Sequence, residues 1–360
     1  MKALILPKEY CSKEILKLEN EKIFGCTWNY IGTTDDFINH NDFITTTIDD
    51  IPVVVQNLKG ELKAYKNICS HRHSIIQIEA KGNRMLMCPY HGWAYNESGV
   101  PKGIPKKPLF KFTDEELECL KLREFKLEIC GKLVFVNINN NATSLREFLG
   151  DKVYLELEDI SNNFGELVDV NELVIKANWK ILVENTLESY HVNLIHADSF
   201  LKLGASGMDF EFNGNHSAWN ARLILSENEG KQKKVYKPYQ NRGFKILGYK
   251  HILVFPNVLI STTYGVSFNL SLITPIDENS SMFRSFVFIT KTEESKLYKS
   301  PLEKIYEDSL INFNRQVFSE DKEICEKVQL GVKSSHYTGE LSDEEERVSA
   351  FQKVYRKFMY

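Results

Sequence analysis

CSHRHSIIQIEAKGNRMLMCPYHGW, residues 69–93, places two of the chain's seven cysteines next to histidines. The pairs are Cys69-x-His71 and Cys88-x-x-His91, with sixteen residues between them. Each follows a strand-like run, so both side chains of a pair can converge from one tight loop without bending a regular element. Two thiols and two imidazoles make four soft-to-borderline donors, enough to complete a coordination sphere. His73, in the same stretch, lies outside this pattern and reads as a loop residue.

The surrounding chain has 360 residues, enough to bury a substantial core and to form about two domains. With 42% hydrophobic and 26% charged residues it reads as an ordinary globular protein. A net charge of −4 leaves no basic footprint for nucleic acid or an anionic membrane surface. The opening MKALILPKEY has too short an apolar run for a signal peptide, because Lys8 and Glu9 interrupt it. No stretch approaches the ~20 apolar residues of a membrane span. A cytoplasmic protein is expected. Cys11, Cys26, Cys119, Cys130 and Cys325 have no histidine or cysteine at ligand spacing and read as small, partly buried residues rather than as a disulfide framework.

Residues 12–24, SKEILKLENEKIF, read as a short amphipathic helix. From about 42 to 137 the pattern is that of a small all-β module: IPVVVQN, LKGELKAYKN with a hairpin turn at Lys59-Gly60, MLMCPY, LKLREFKLEI and GKLVFVNI. VPKGIPKKP, with three prolines, is loop. In the second half GELVDVNELVIKA resembles strands and WKILVENTLESYHVNLIH a helix. Strand candidates follow at 217–226, 251–263, 266–274 and 282–290, with DENSS as a turn before the last. Two helices close the chain. The final one opens at Ser342 with Glu345 as a capping box, and Val348, Phe351, Val354, Tyr355 and Phe358 form its apolar stripe.

Three readings of the opening stretch compete. Two such pairs within one β module argue against ordinary buried cysteines and histidines. Cys-x-His is short for a structural zinc pair, which usually leaves two or more residues between ligands. A [2Fe–2S] cluster with cysteines on one iron and histidines on the other fits better. C-S-H-R … C-P-Y-H-G-W, with NICSHR before and CPYHGWAYNESG after, closely resembles the Rieske motif of the large (alpha) subunits of ring-hydroxylating oxygenases. The resemblance implies that Cys69 and Cys88 hold one iron while His71 and His91 hold the other.

Residues 178–196, NWKILVENTLESYHVNLIH, raise a second site. On a helix Glu188 and His191 would lie about 60° apart and share a face. His191 and His196 would lie about 140° apart, too far for one metal unless the helix breaks or changes pitch between them. A surface Glu–His pair plus a stray core histidine is the plain alternative. N-W-K followed by E-N-x-x-E-x-Y-H-x-x-x-x-H is similar to the mononuclear iron motif of the same family. By that resemblance His191 and His196 are ligands of a facial triad that leaves positions open for dioxygen. The third ligand is expected in QVFSEDKEICEKVQLGV, at Asp321, with its neighbour Glu320 as the rival. Glu188 stands at the family's acidic bridge, usually an aspartate, between an iron histidine and a cluster histidine of a neighbouring subunit. His91, Glu188 and His191 would form that relay. A glutamate there resembles the branch acting on quaternary amines.

The resemblance covers nearly the whole chain, including the FPN stretch at 255–257. It implies an α+β fold: an N-terminal helical segment (1–41) packing on the catalytic domain, an all-β Rieske domain (42–150), and a helix-grip catalytic domain (151–360) whose antiparallel sheet grips a long helix. It also implies a homotrimer of terminal oxygenase subunits with a [2Fe–2S] cluster and Fe(II). No G-x-G-x-x-G follows a strand, so electrons from NAD(P)H are expected through a separate reductase, with or without a ferredoxin. Dioxygen and a small organic substrate complete the reaction, a hydroxylation or oxidative demethylation. The pocket is expected between 184–212 and the strands from 217 to 290, with Trp219, Phe255, Tyr264 and Phe268 as candidate lining. A Rieske electron carrier without oxygenase chemistry and a zinc-stabilised binding protein are the alternatives.

Overall fold

The computed structural model describes residues 1–203, 205–223, 244, 246, 248–291 and 301–360. They divide into two compact units: residues 17–148, and residues 1–16 together with 149–360. The expected boundary at 41/42 moves, because residues 29–33 pair within the first unit's sheet.

The first unit begins within helix α1 (Lys13–Glu19), which runs into a wider turn over Asn20–Phe24. Its strands are β1 (Asn29–Thr33), β2 (Asp42–Ile48), β3 (Ile51–Leu58), β4 (Glu61–Lys66), β5 (Lys81–Asn83), β6 (Ala94–Tyr95), β7 (Pro101–Gly103), β8 (Glu124–Cys130) and β9 (Leu133–Asn137). Seven of them form an antiparallel sheet in the order β1-β9-β8-β4-β3-β2-β5, and β6 pairs with β7. The β-branched run Val53–Val55 suits β3, and β4 returns through Lys59 (φ 57°) and Gly60 (φ 93°). Positive φ at both positions is the turn whose twist matches the flanking strands. MLMCPY is not a strand; only Met87 pairs, with Ala94. Helix α2 (Asp114–Cys119) is capped by Thr113 and Glu116 in the reciprocal manner that satisfies its first amides. Val54, Tyr65, Ile76, Leu86, Trp93 and Tyr95 pack the core directly beneath Cys69 and Cys88.

In the second unit, α3 (Leu145–Asn162) enters through a kink at Gly150, whose φ of 73° suits glycine. The strands are β10 (Phe164–Ile175), β11 (Ala205–Asn213), β12 (His216–Leu223), β13 (Tyr249–Val254), β14 (Val258–Thr263), β15 (Ser267–Asp277) and β16 (Ser280–Thr290). They form one antiparallel sheet in the order β10-β16-β15-β14-β13-β12-β11. The run expected as one strand over 251–263 is two, separated by Phe255-Pro256-Asn257, because proline removes a ladder donor and turns the chain. Positions 224–226 of the expected 217–226 strand lie outside the described residues.

Register builds one face of this sheet. Trp219, His251, Ser261, Asn269 and Val287 are successive cross-strand partners, so their side chains form a row over β12 to β16. Helices α4 (Trp179–Thr186) and α5 (Val192–Ile195) follow β10, and α6 (Pro301–Val332) and α7 (Glu346–Met359) close the chain. The 32 residues of α6 give a rod of about 48 Å. Arg315 of α6 forks onto Asp169 of β10, and Asn314 accepts from Asn269 of β15. A long helix is thereby fixed across the sheet.

The N-terminus and α7 meet α4 in a buried polar knot. Tyr10 and Gln352 both donate to Glu184, while Lys180 lies 5.3–5.5 Å from the rings of Tyr10, Trp179 and Tyr355. Burial pushes the Glu184 carboxyl up to about 7, against the lowering effect of those two donors and of Lys180.

Candidate functional site

The loops bearing the two Cys/His pairs are two copies of one turn. In the first, Cys69 N donates to Ser74 O and His73 N to Cys69 O; in the second, Cys88 N donates to Trp93 O and Gly92 N to Cys88 O. Ile68 pairs with Ile75 as Met87 pairs with Ala94. The left-handed position falls at His73 (φ 61°) in one and Gly92 (φ 72°) in the other. His73 is thus a turn residue, as its place outside the ligand pattern suggested.

The turns bury both thiols and bring them together, while the rings of His71 and His91 lie 4.7 Å apart. His71 stacks on Trp93 at 4.7 Å, and His91 is exposed beside Tyr90. The Tyr95 hydroxyl donates to Cys69 Sγ at 3.1 Å. Burial raises the Cys69 thiol pKa, and burial with neighbouring His91 and Arg72 lowers that of His71. Arg84 and Gln77 tie the loop bases together: Arg84 Nε donates to Gln77 Oε1 at 2.9 Å, and Gln77 Nε2 to Gln56 Oε1 at 3.1 Å. The donors fall into a thiol pair and an imidazole pair. A two-iron cluster with different ligands on each iron requires that separation, whereas a zinc ion would gather all four donors.

The second group arises where a helix fails. Asn178 caps α4, accepting from Lys180 N at 3.1 Å, and the helix stops at Thr186 rather than running to His196. Glu188 then accepts from the backbone N–H of His191 at 3.1 Å, and one short turn, α5, separates His191 from His196. The break removes the 140° problem: the two rings lie 5.0 Å apart. Asp321, midway along α6, completes the set. Its Oδ1 is 3.0 Å from His196 Nε2 and 3.6 Å from His191 Nε2. Donor atoms of His191, His196 and Asp321 all lie within 4.8 Å of one another, the single such group of three among the described residues.

Each member is held from behind. Glu188 pairs with Nδ1 of His191. Glu320 Oε2 lies 2.7 Å from Nδ1 of His196 and is itself held by Ser199 and Gln316. Asn185 Nδ2 donates to Asp321 Oδ1 at 2.7 Å. The adjacent acids therefore occupy different places: Asp321 faces both Nε2 atoms, and Glu320 grips the far side of one imidazole. Carboxylates on Nδ1 leave Nε2 as the free donor to a metal. Burial disfavours a charged His196, but Asp321 and Glu320 outweigh it and raise its pKa. Burial also raises the Glu320 carboxyl, yet His196, Ser199 and Gln316 bring it below its usual value. Sequence reasoning passed over Asn185, Ser199 and Gln316.

His191, His196 and Asp321 open onto a cavity of about 140 Å³. Phe200, Trp219, Tyr249, Phe313 and Phe318 supply rings, and Ser261, Asn269, Ser271 and Asn314 neutral polar groups. Trp219 and Phe268 line it as expected, but Phe255 and Tyr264 do not. Phe255 points into the core against Phe351 and Phe358, and Tyr264 sits at positive φ in the turn between β14 and β15. His251 lines the cavity with its Nδ1 turned back to Arg347 at 3.2 Å. Burial and the neighbouring guanidinium hold His251 well below the ordinary imidazole pKa; burial lowers Arg347 to about 9, still cationic at neutral pH.

Comparison with known proteins finds two matching domains. Residues 27–119 match the Rieske [2Fe-2S] domain, and residues 156–360 the ring hydroxylating alpha subunit (catalytic domain). The anthranilate 1,2-dioxygenase large subunit of Acinetobacter baylyi is 34% identical over 52% of this chain and 41% of its own length, so the chain matches less than half of that relative. The carnitine monooxygenase oxygenase subunit of Acinetobacter pittii is 25% identical over 92% of this chain and 85% of its own. A quaternary ammonium Rieske monooxygenase solved with L-carnitine superimposes with a TM-score of 0.79 over 99% of this chain and 96% of its own, at 19% identity, and shares the fold. The catalytic-domain match alone spans more than half of the sequence, and the chain belongs to the ring-hydroxylating alpha-subunit family, with that family's Rieske domain preceding its catalytic domain.

Proposed function

We propose that the chain is a terminal oxygenase in which Cys69, Cys88, His71 and His91 hold a [2Fe–2S] cluster and His191, His196 and Asp321 hold one Fe(II). The observation that carries this reading is the presence of both donor sets in one chain, one paired for two irons and one compact enough for a single ion. Two imidazoles and a carboxylate on one side leave the cavity side free, as oxygen chemistry requires. When bound, the two groups supply stored electrons and open coordination positions for the reductive activation of dioxygen.

The chain's own residues do the rest. Glu188, Glu320 and Asn185 fix the orientation of the three ligands, so that each presents one donor atom without reorganisation. The rings of Phe200, Trp219, Tyr249 and Phe313 form the apolar part of the lining, with Phe200 beside His196, and limit the water that can reach it. Exposed His91 suits electron transfer out of the cluster, since a neighbouring copy can approach its ring. Glu188, half-buried beside His191, would reach His91 of a neighbouring copy in a head-to-tail homotrimer, a heterologous contact that closes into a ring. A separate reductase fed by NAD(P)H, with or without a ferredoxin, would deliver the electrons.

The substrate class is a small organic molecule undergoing hydroxylation or oxidative demethylation; two relatives act, by name, on anthranilate and carnitine. Oxygen uptake with a surrogate reductase, across a panel of quaternary amines and aromatic acids, tests the reading. Uptake coupled to a hydroxylated or demethylated product is expected with wild type and not with His191→Ala. A colourless, zinc-loaded protein would overturn it.

A further inference from the structure

We propose that His251 and Arg347 form a carboxylate-binding subsite of the cavity, so that the molecule oxidised there is an organic anion. Calling that molecule a substrate rests on the oxygenase reading; the subsite itself does not. His251 lies mid-strand on β13, with Trp219 and Ser261 as its cross-strand partners on the cavity face. Arg347, at the start of α7, is almost wholly buried behind it. Its guanidinium donates to His251 Nδ1 at 3.2 Å, to Ser217 Oγ at 3.2 Å and to Ser217 O at 3.4 Å.

An arginine has only donors, so Nδ1 of His251 must be an acceptor and the ring proton must sit on Nε2. That N–H makes no hydrogen bond among the described residues, and the residue lines the cavity. Among the described residues no carboxylate lies within ion-pairing distance of Arg347. Among the described residues no lysine or arginine lines the cavity, and its acids, Glu188 and Asp321, already face histidines. A buried cation without a counter-ion is costly. A carboxylate accepting from His251 Nε2 would supply the missing charge through the imidazole, in a charge-assisted arrangement.

The rest of the occupant has a defined path. Tyr249 shares a strand face with His251, its ring lies 5.4 Å from Phe200, and Phe200 lies 6.3 Å from His196. A molecule anchored at His251 extends past these rings towards His191, His196 and Asp321.

The test is calorimetric binding of benzoate against benzamide, and of acetate against acetamide, to the anaerobic holoprotein. Wild type is expected to prefer at least one anion to its amide by about tenfold or more. Arg347→Met and His251→Leu should each reduce the preference to within about twofold, with circular dichroism and the visible spectrum unchanged. His251→Gln, which can still accept from Arg347 and donate to the cavity, should restore part of it. A role for Arg347 in merely anchoring α7 would lower stability without altering anion-over-amide selectivity. A preference absent in wild type overturns the proposal, and so does one that persists in both variants. His191→Ala should leave the preference intact. A failed oxygenase reading is therefore distinguishable from a failed subsite.

Discussion

The two donor groups are built by opposite means. The Cys/His loops are a repeated local turn, each within a six-residue run, and they leave His91 exposed. The His/His/Asp group joins a broken helix to a residue more than a hundred positions later, with His196 fully enclosed. A group that exchanges electrons with a partner gains from exposure and from ligands pinned by backbone turns. A group that handles a reactive oxidant gains from enclosure, and its ligands then need side-chain partners because they come from elements far apart in the chain. Glu188, Glu320 and Asn185 are those partners, and the cluster loops use Arg84 and Gln77 instead to lock the loop bases.

The sharpest way to break the comparison is to remove one group at a time. His191→Ala should abolish product formation while the visible absorption and reduced-state EPR of the cluster persist. Cys88→Ser should do the reverse, abolishing the cluster spectrum yet retaining ferrous iron bound by the triad. If either variant loses both signals, the groups are not independent.

Smaller effects sharpen the division of labour between the adjacent acids. Asp321→Asn should lose iron outright, whereas Glu320→Gln should retain it with affinity about 10–100-fold weaker, as measured by competition with a chelator. Equal losses would contradict the separation of the two roles. Glu188→Gln should retain iron and cluster but slow turnover about 10–100-fold, with reduction of the cluster by dithionite unchanged.

The smallest effect on activity is expected at Glu184, where the consequence is one of stability. Its carboxyl titrates near 7 in the folded chain against about 4.5 in the unfolded one. Between those values the folded state binds the extra proton, so stability falls as pH rises through this window and levels off above it. The loss is at most about 3 kcal/mol. Glu184→Gln should remove that part of the pH dependence, seen in urea unfolding at pH 5 and pH 8, with turnover unchanged.

How much was legible in sequence follows from the same contrast. The cluster loops were readable because their ligands and the turns that aim them are neighbours in the chain. The histidine pair was readable only as a puzzle, since a spacing of five makes sense once the helix is known to stop at Thr186. Nothing local decides between Glu320 and Asp321: adjacent helix residues differ by about 100°, and the rotation of α6 is set by contacts such as Arg315 with Asp169. The strand over 251–263 was misread although Pro256-Asn257 is a breaker signal. Phe255 and Tyr264 were misplaced because aromatic character alone does not reveal a strand's cavity face. His251 and Arg347 were invisible, being nearly a hundred residues apart and joined by packing of α7 behind β13.

The central claim is that one chain holds two iron groups of different kinds. Iron and acid-labile sulfide should be counted per chain in protein reconstituted anaerobically with excess iron. Iron should exceed sulfide by one atom in wild type, and the excess should vanish in His191→Ala with sulfide unchanged. Equal iron and sulfide in wild type, or an excess that survives the substitution, would contradict the account.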